Sequence, residues 1–229
     1  MGAGITGLRI SLIVPVLNEA PVIAATLAAL APLRARGHEV IVADGGSEDG
    51  SREIAAPLAD RIMVAPRGRA CQMNAGAAAA RGEALVFLHA DTRLPANADE
   101  LIVHALRTSL WGRFDVAIEG RSALLPVVAF FMNMRSRFTG IATGDQAIFV
   151  LRNAFAGFPE IALMEDVAFS KAMKRRAPPV CLRARALTSG RRWERHGVLR
   201  TMLLMWRLRL AYFFGAAPDE LARRYASKP

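Results

Sequence analysis

Short runs of β-branched residues alternate with alanine-rich helical stretches through the first half of this 229-residue sequence. The alternation predicts a mostly parallel sheet flanked by helices, because neighbouring parallel strands need a long crossover connection, which is usually a helix. Pro21 lies near the first turn of the first predicted helix, where proline is favoured. The predicted strands are 9–16, 39–43, 61–65 and 84–88, and helices are predicted at 51–56 and 71–80.

The second half is less regular. Alternating or apolar runs predict strands at 113–119, 146–151 and 180–187, and helical spacing predicts helices at 165–176 and 198–214. No internal repeat or long linker interrupts the sequence. We therefore expect one α/β domain over 1–229, composed of two halves, 1–114 and 115–197, and a helical C-terminal extension, 198–229.

The loops that follow the four predicted strands of the first half carry polar residues. In parallel sheets, ligands bind beyond the carboxyl ends of the strands, so the loops after Val16, Ala43, Ala65 and Leu88 should face one crevice. None of these loops has the dinucleotide fingerprint or a phosphate-binding lysine loop. Asp44 is placed either to accept hydrogen bonds from a base or ribose, or to cap its own glycine-rich turn.

The third and fourth loops carry charges suited to a phosphorylated ligand. Arg67 and Arg69 come directly before a predicted helix, and both guanidinium groups and helix N-termini attract anions. Asp91 follows a buried strand, where a carboxylate can hold a divalent cation that bridges diphosphate oxygens, or can serve only as a turn residue.

The net charge of +10 is concentrated in one half of the chain. Residues 1–114 carry 11 basic and 11 acidic side chains, whereas residues 115–229 carry 19 and 9. Between Lys171 and Arg209, Glu194 is the only acidic residue. Such a basic segment is typical of a surface that faces phosphates, anionic lipid or nucleic acid.

Seven motifs follow one another along the sequence. They are Pro15-x-x-Asn18-Glu19, Asp44-Gly45-Gly46-Ser47-x-Asp49-Gly50-Ser51, Arg69-x-x-Gln72-x-Asn74-x-Gly76, His89-Ala90-Asp91, Gly144-Asp145-Gln146, Met164-Glu165-Asp166 and Arg191-Arg192-Trp193. In this order and spacing they resemble the family 2 glycosyltransferases, and in particular a compact bacterial subgroup. The resemblance implies the GT-A fold, a nucleotide-diphosphate sugar as donor, and Mn²⁺ or Mg²⁺ as cofactor. It implies that residues 1–114 bind the donor and 115–197 hold the acceptor and catalytic groups.

The resemblance also assigns residues to the donor. Asp44 corresponds to the residue that reads the nucleotide base, and Asp91 to the last acid of the D-x-D metal motif. His89 stands where the first acid of that motif is expected, and imidazole can either ligate Mn²⁺ or donate a hydrogen bond. The remaining expected donor-binding residues are Pro15, Asn18, Glu19, Arg67, Arg69 and Asn74.

Catalytic and acceptor residues are assigned in the same way. Glu165 and Asp166 resemble the acidic pair whose aspartate is the general base of inverting members, although two acids that open a helix are also a common charge pattern. Arg192 is expected to stabilise the departing diphosphate and Trp193 to stack on a sugar. Ser189 replaces the glutamine of the processive Q-x-x-R-W motif, which weighs against a polymerase. Expected acceptor contacts are Gly144, Asp145, Gln146 and Trp193.

Two other functions remain open on sequence grounds. One is nucleotidyl transfer to a sugar phosphate, although the glycine-rich, lysine-containing signature of that class is missing. The other is a non-enzymatic basic module that binds anionic membrane or nucleic acid, although no nucleic-acid platform is recognisable.

The apolar stretches and the two cysteines bear on location. The stretch 123–134 is too short to span a bilayer, and arginines interrupt 198–214. The latter helix either lies on an anionic membrane and reaches a lipid-linked acceptor, or packs on the core with its arginines extended to solvent. Two cysteines suggest no disulfide framework, so we expect a cytoplasmic protein, with peripheral contact at the inner face of the membrane as the alternative.

Overall fold

The computed structural model describes residues 7–226, which form an eight-stranded sheet with helices on both faces. The strands are β1 Ile10–Val16, β2 Glu39–Asp44, β3 Arg61–Val64, β4 Ala84–Phe87, β5 Thr92–Arg93, β6 Trp111–Glu119, β7 Ile148–Leu151 and β8 Val180–Ser189. The α-helices are α1 Ala20–Ala29, α2 Ala31–Ala35, α3 Ser51–Ala55, α4 Arg69–Ala79, α5 Ala98–Leu106, α6 Leu125–Thr139, α7 Glu165–Lys174, α8 Arg191–His196, α9 Val198–Phe213 and α10 Pro218–Ala226. Short 3₁₀ helices cover Gly144–Gln146 and Arg152–Ala154.

The first four strands are parallel, as the alternation in the sequence predicts. Strand β1 pairs with β2 and β4, and β2 pairs with β3, so their carboxyl ends meet at one edge of the sheet. The full strand order is β3-β2-β1-β4-β7-β6-β8-β5. Strand β7 runs antiparallel to both β4 and β6, and β6 is parallel to β8, so the second half extends the sheet as a mixed one.

Both faces of the central strands are buried, which explains their nearly continuous apolar sequence. On β1, Leu12 and Val14 face one apolar cluster and Ile13 faces the other. Helices α1 and α5 pack in the first cluster, and α4 and α7 in the second. The α4 helix lies very close to β1, because a Cβ on Gly76 would come within 2.5 Å of Ile13 Cγ2.

The C-terminal helices pack against α7 rather than extending away from the sheet. Leu208 of α9 and Leu221 of α10 share an apolar cluster with Met164 and Val167 at the start of α7. The packing of α9 and α10 on α7 brings the arginine-rich helix α9 to the edge of the sheet where the first four strands end.

Four helices predicted at 51–56, 71–80, 165–176 and 198–214 are confirmed within two residues at each end.

Candidate active site

A cleft of about 300 Å³ opens where β1, β4 and β8 end. Helices α8, α9 and α10 supply its other wall, which includes Arg209 and Tyr225. The cleft brings together residues that are far apart in the sequence and that the motifs single out. Eleven of the site residues predicted from the sequence line the cleft: Pro15, Glu19, Arg69, His89, Asp91, Gly144, Asp145, Glu165, Asp166, Arg192 and Trp193.

Five expected site residues do not line the cleft: Asn18, Asp44, Arg67, Asn74 and Gln146. Arg67 is exposed on the loop before α4. Gln146 is buried, and it donates a hydrogen bond to Asn133 Oδ1 at 3.3 Å. Its side-chain oxygen accepts one from the backbone N–H of Thr143 at 3.2 Å, which places Gln146 in the scaffold of the cleft.

Asp44 caps its own turn. Its Oδ2 accepts hydrogen bonds from the backbone N–H groups of Gly46 at 2.9 Å and Ser47 at 3.0 Å, and the side chain is fully buried. These bonds match the capping alternative. Recognition of a nucleotide base by Asp44 stays a prediction.

The loops after β1 and β2 are tied together by hydrogen bonds. Asn18 has a left-handed backbone, with φ of 56°, a conformation that asparagine tolerates better than most residues. Its backbone N–H donates to Ser47 Oγ, and its Oδ1 accepts from the N–H of Glu48, both at 2.9 Å. The N–H of Glu19 donates to Ser51 Oγ at 2.8 Å. The two loops therefore hold Glu19 at the rim of the cleft.

Two polar residues of α4 support the loops rather than the cleft. Gln72, a motif residue to which the sequence assigns no role, donates to the carbonyl oxygens of Val16 at 2.6 Å and Ala43 at 3.0 Å. Asn74 donates to the carbonyl oxygen of Phe158 at 2.9 Å and accepts from its N–H at 2.8 Å. The nitrogen and the oxygen of the Asn74 amide are thus both bonded to the loop that contains Phe158, and donor binding by Asn74 stays a prediction.

The acidic pair lies at the N-terminus of α7. Asp166 Oδ2 accepts a hydrogen bond from the backbone N–H of Gly144 at 3.0 Å, and its Oδ1 accepts one from Val167 at 2.7 Å. Glu165 is buried, and its carboxylate lies 3.7 Å from the guanidinium of Arg69. Burial raises the pKa of both carboxyl groups, and the negative charge of Asp166 raises that of Glu165 further.

His89 and Asp145 form a second charged pair in the cleft. The His89 Nδ1 atom lies 3.1 Å from Asp145 Oδ1. Burial alone would raise the pKa of Asp145, but the hydrogen bond and charge of His89 keep that pKa below its usual range. The ring packs tightly on the 3₁₀ helix, since a Cβ on Gly144 would lie 2.2 Å from His89 Nε2.

Arg191, rather than Arg192, contacts the acid expected to hold a metal. The Arg191 guanidinium lies 3.4 Å from Asp91 Oδ2 and also pairs with Glu19. Arg192 stacks on the ring of Tyr225, 3.7 Å from its centroid. Arg191 is not among the site residues predicted from the sequence, although it stands in the same motif as Arg192. Tyr225 had no motif that could have identified it.

Asp91 and His89 were expected to hold a divalent ion. Over residues 7–226, no three His, Cys, Asp or Glu side chains are grouped as a metal cage. Asp91 presents a carboxylate to the cleft and fits an ion that takes its other ligands from a bound donor. His89 Nε2 has no hydrogen-bond partner, but it packs on Gly144, so ligation through it requires the ring to rotate.

Polar atoms on the C-terminal wall are also unsatisfied. Among the described residues, Thr201 Oγ1 and Arg209 Nε are buried without a hydrogen-bond partner, and both residues line the cleft. Buried polar groups are normally paired. The cleft is therefore equipped for a polar, anionic ligand.

Solved structures with the same fold include known glycosyltransferases. A mannosyltransferase from Pyrobaculum calidifontis, in complex with GDP-Man and Mn²⁺, is 21% identical, with a TM-score of 0.61 over 97% of this chain and 70% of that one. TarS of S. aureus, residues 1–349 with UDP-GlcNAc, is 17% identical, with a TM-score of 0.64 over 80% of this chain and 58% of that one.

A third structure is glucosyl-3-phosphoglycerate synthase from Mycobacterium tuberculosis, with Mn²⁺ and UDP-glucose. It is 18% identical, with a TM-score of 0.59 over 82% of this chain and 75% of that one. At these identities the likeness concerns the fold, and it confirms the predicted GT-A architecture. The chain spans about three-fifths of the TarS segment.

The sequence itself matches one family model. Curated proteins give no match to this sequence. The model for glycosyl transferase family 2 matches residues 11–163, which is more than half of the chain and includes β1 to β7 and most of the cleft loops. The chain therefore belongs to glycosyl transferase family 2.

Proposed function

We propose that this protein transfers a glycosyl group from a nucleotide-diphosphate sugar to a hydroxyl group of an acceptor, with inversion at the anomeric carbon. The observation that carries the proposal is the position of Asp166. Its carboxylate is fixed by the Gly144 N–H at the N-terminus of α7, in a cleft that also holds Arg69, Arg191 and Arg192. A candidate general base and three arginine side chains in one cleft are the groups that glycosyl transfer from a diphosphate donor requires.

Asp166 acts as the general base in this mechanism. It accepts the proton of the acceptor hydroxyl while the hydroxyl oxygen attacks the anomeric carbon and the bond from that carbon to the diphosphate breaks. A base works best when its pKa lies near the working pH, and burial raises the pKa of Asp166 in that direction. Hydrogen bonds from the N–H groups of Gly144 and Val167 orient the two carboxylate oxygens, and each oxygen keeps a further lone pair that can accept the proton.

Arginines compensate the charge that develops on the leaving diphosphate. Arg191 lies on the Asp91 side of the cleft, and Arg69 is held beside the acidic pair by Glu165. Arg192 is oriented by the ring of Tyr225. Guanidinium groups fixed in this way stabilise developing negative charge at little cost in reorganisation. Glu165 acts as a positioning residue for Arg69.

The donor nucleotide lies over the tied loops after β1 and β2. Pro15 and Glu19 line the cleft directly, and Asn18 and Asp44 hold the loop shape from behind. The proposal includes Mn²⁺ or Mg²⁺, with Asp91 as the first residue to hold it and His89 as the second. When bound, the ion adds positive charge at the diphosphate. The Mn²⁺ and nucleotide-sugar complexes of structural neighbours support this part of the proposal.

The acceptor reaches the cleft from the side of the C-terminal helices. Trp193 offers an aromatic surface for a sugar, and the Gly144–Gln146 helix lies beside the base. We place the protein in the cytoplasm.

Donor binding tests the proposal directly. Thermal unfolding and calorimetry are measured with UDP-, GDP- and dTDP-sugars, each with and without Mn²⁺. We expect sugars of one base to raise the melting temperature, since a donor at 100 times its Kd adds about 2.7 kcal/mol to the free energy of unfolding. The absence of a response to every donor would overturn the proposal.

Two further outcomes distinguish the alternatives. Release of pyrophosphate from a nucleoside triphosphate and a sugar phosphate would identify a nucleotidyltransferase. Salt-sensitive binding of DNA or RNA without any response to donors would identify a nucleic-acid-binding module.

A further inference from the structure

The large apolar side chains that remain exposed are concentrated on two helices. Among the described residues, all of them except Ile54 and Val64 lie on α6 and α9 or on a residue directly adjoining them. Clustered exposed apolar residues mark interaction sites more often than scattered single residues do. The two helices therefore carry a candidate interaction surface.

On α9 the exposed apolar residues form one stripe. They recur at intervals of three or four residues, which places them on the same side of the helix. Val198 and Leu208 lie on the other side and are buried. Packing on the core therefore accounts for only one side of α9, and the exposed stripe comprises Leu199, Leu203, Trp206, Leu210 and Phe213.

Helix α6 repeats this arrangement. Leu125, Val128 and Ala129 pack on β6, whereas Val127, Phe130, Phe131 and Phe138 are exposed, Phe138 by 82%. Val198, the first residue of α9, packs in the same cluster as these buried residues of α6. The two helices thus meet at Val198, and each leaves an apolar side uncovered.

The charge of the two helices identifies the occupant of this surface. Helices α6 and α9 contain no acidic residue and five arginines. Arg137 pairs with Asp115, Arg135 is partly buried, and Arg209 lines the cleft. Arg200 and Arg207 are exposed beside the apolar stripe of α9. A second copy of the chain would bring like charges together, whereas an anionic lipid bilayer offers both an apolar interior and opposite charge.

We propose that α6 and α9 form a docking surface for an anionic lipid bilayer, and that the acceptor hydroxyl belongs to a molecule held in that bilayer. The second part rests on the proposed function. Its structural basis is that α9 serves two surfaces, since Thr201, Met205 and Arg209 line the cleft. A helix with its side chains is about 10 Å across, so docking of one side brings the cleft on the other side to the membrane surface.

The contact is interfacial. Over residues 7–226 no helix is long and apolar enough to cross a membrane. The apolar side chains of α6 and α9 would enter the boundary between headgroups and acyl chains, with Arg200 and Arg207 at the level of the phosphates.

Vesicle flotation tests this surface. The full chain is mixed with vesicles of phosphatidylcholine alone or of phosphatidylcholine with phosphatidylglycerol, and we expect flotation with the anionic vesicles only. The pair Arg200→Gln and Arg207→Gln should lower partitioning about 30-fold, given the usual contribution of a basic residue near an anionic surface.

Single substitutions then test each helix. Leu203→Ser on α9 and Phe131→Ser on α6 should each lower flotation, whereas Val64→Ser, an equally exposed apolar residue on β3, should not. Thermal unfolding of each variant verifies that it is folded. Three results would overturn the docking surface: equal flotation of all variants, flotation with vesicles that contain only phosphatidylcholine, or a stable dimer that buries these residues.

Donor binding in the same preparation keeps the two proposals separate. Calorimetric binding of a nucleotide sugar without flotation would overturn the docking surface and leave the proposed function standing. Flotation without donor binding would overturn the proposed function and leave the docking surface standing. For the acceptor, transfer to lipid extract in vesicles is expected to exceed transfer to soluble sugars, and the opposite preference would overturn a membrane-held acceptor.

Discussion

The backbone N–H of Gly144 donates a hydrogen bond to Oδ2 of Asp166 across a separation of 22 residues. Gly144 belongs to the 3₁₀ helix that precedes β7, and Asp166 to the first turn of α7. The contact fixes the carboxylate by a group that side-chain substitutions cannot remove. An asparagine oxygen at position 166 can accept the same bond, whereas the second bond, from the N–H of Val167, would be lost.

Substitution Asp166→Asn should abolish transfer while retaining donor binding. Asparagine can still accept the hydrogen bond from Gly144, but it cannot take up a proton from the acceptor. We expect kcat to fall about 100- to 10,000-fold, the usual contribution of a general base. Initial rates of donor consumption and calorimetric donor binding measure the two effects. Asp219→Asn, an exposed acid on α10, is the matched control, and unchanged turnover in Asp166→Asn would contradict the assignment.

The stability of Asp166→Asn should depend on pH in a defined direction. The pKa of Asp166 is raised by burial in the folded protein, whereas in the unfolded chain it is about 3.9. At pH values between the unfolded and the folded pKa, the unfolded chain has released a proton that the folded protein keeps. The free energy of unfolding of the wild type therefore falls as pH rises through this window. Asparagine does not titrate, so the variant should gain stability relative to the wild type across this window in urea denaturation.

Asp99→Asn provides a control of opposite sign. Burial would raise the pKa of Asp99, but its bonds to Arg36 and His38 lower it. The stability that this group contributes is present above its unfolded pKa and is lost as pH falls through the folded pKa. Asp99→Asn should therefore lose stability relative to the wild type as pH rises. A pH-independent difference for Asp166→Asn would contradict a raised pKa.

Arg191→Gln should weaken donor binding. Its guanidinium pairs with Glu19 and Asp91 at the rim of the cleft, where the proposed diphosphate lies. Loss of a hydrogen bond to a charged group costs about 1.5–3 kcal/mol, which is about 10- to 150-fold in Kd. Calorimetry with the donor checks this, with Arg52→Gln on α3 as an exposed control. Equal affinity in both variants would show that Arg191 has no part in donor binding.

Asn74→Ala should destabilise the protein without weakening donor binding. The substitution removes both hydrogen bonds to the backbone of Phe158 and leaves their partly buried partners unpaired. We expect a loss of about 1–3 kcal/mol in the free energy of unfolding. Urea denaturation measures it, and Asn153→Ala at an exposed position should cost much less. A large loss of donor affinity with unchanged stability would instead favour the role that the sequence motif implies.

Local patterns explain why the first half of the fold could be predicted. Strands β1 to β4 are short apolar runs separated by helices, and parallel pairing follows from that order alone. The second half depends on contacts between distant residues. Strand β5 has two residues, and it pairs with β8 through Thr92 and Thr188, whose hydroxyl groups lie 3.0 Å apart. A two-residue strand has no period to detect.

Arg113 shows a similar limit within a strand that was predicted. Its neighbours alternate as expected, with Phe114 and Val116 buried. Arg113 is also fully buried, because it pairs with Asp115 and donates to Ser136 Oγ on α6 at 3.0 Å. Alternation identifies the apolar residues of a strand but cannot show that a charged residue between them is buried with its partners.

In the candidate site too, some residues could be predicted from local motifs, whereas others depend on contacts between distant parts of the chain. Motifs with local spacing located the residues after β1, β4 and at the start of α7. The contribution of Tyr225 arises only because α10 folds back over the cleft, so no neighbouring residue indicates it. Arg191 differs from Arg192 only in the direction of its side chain, which depends on where Glu19 and Asp91 lie.

The hydrogen bonds between the loops after β1 and β2 have a consequence for protein engineering. Asn18 is bonded to Ser47 and Glu48, and Glu19 to Ser51, so neither loop keeps its shape without the other. Substitutions in the two loops should not have additive effects, since residues of one hydrogen-bond network couple. A change of donor preference would therefore require exchange of both loops as a single cassette.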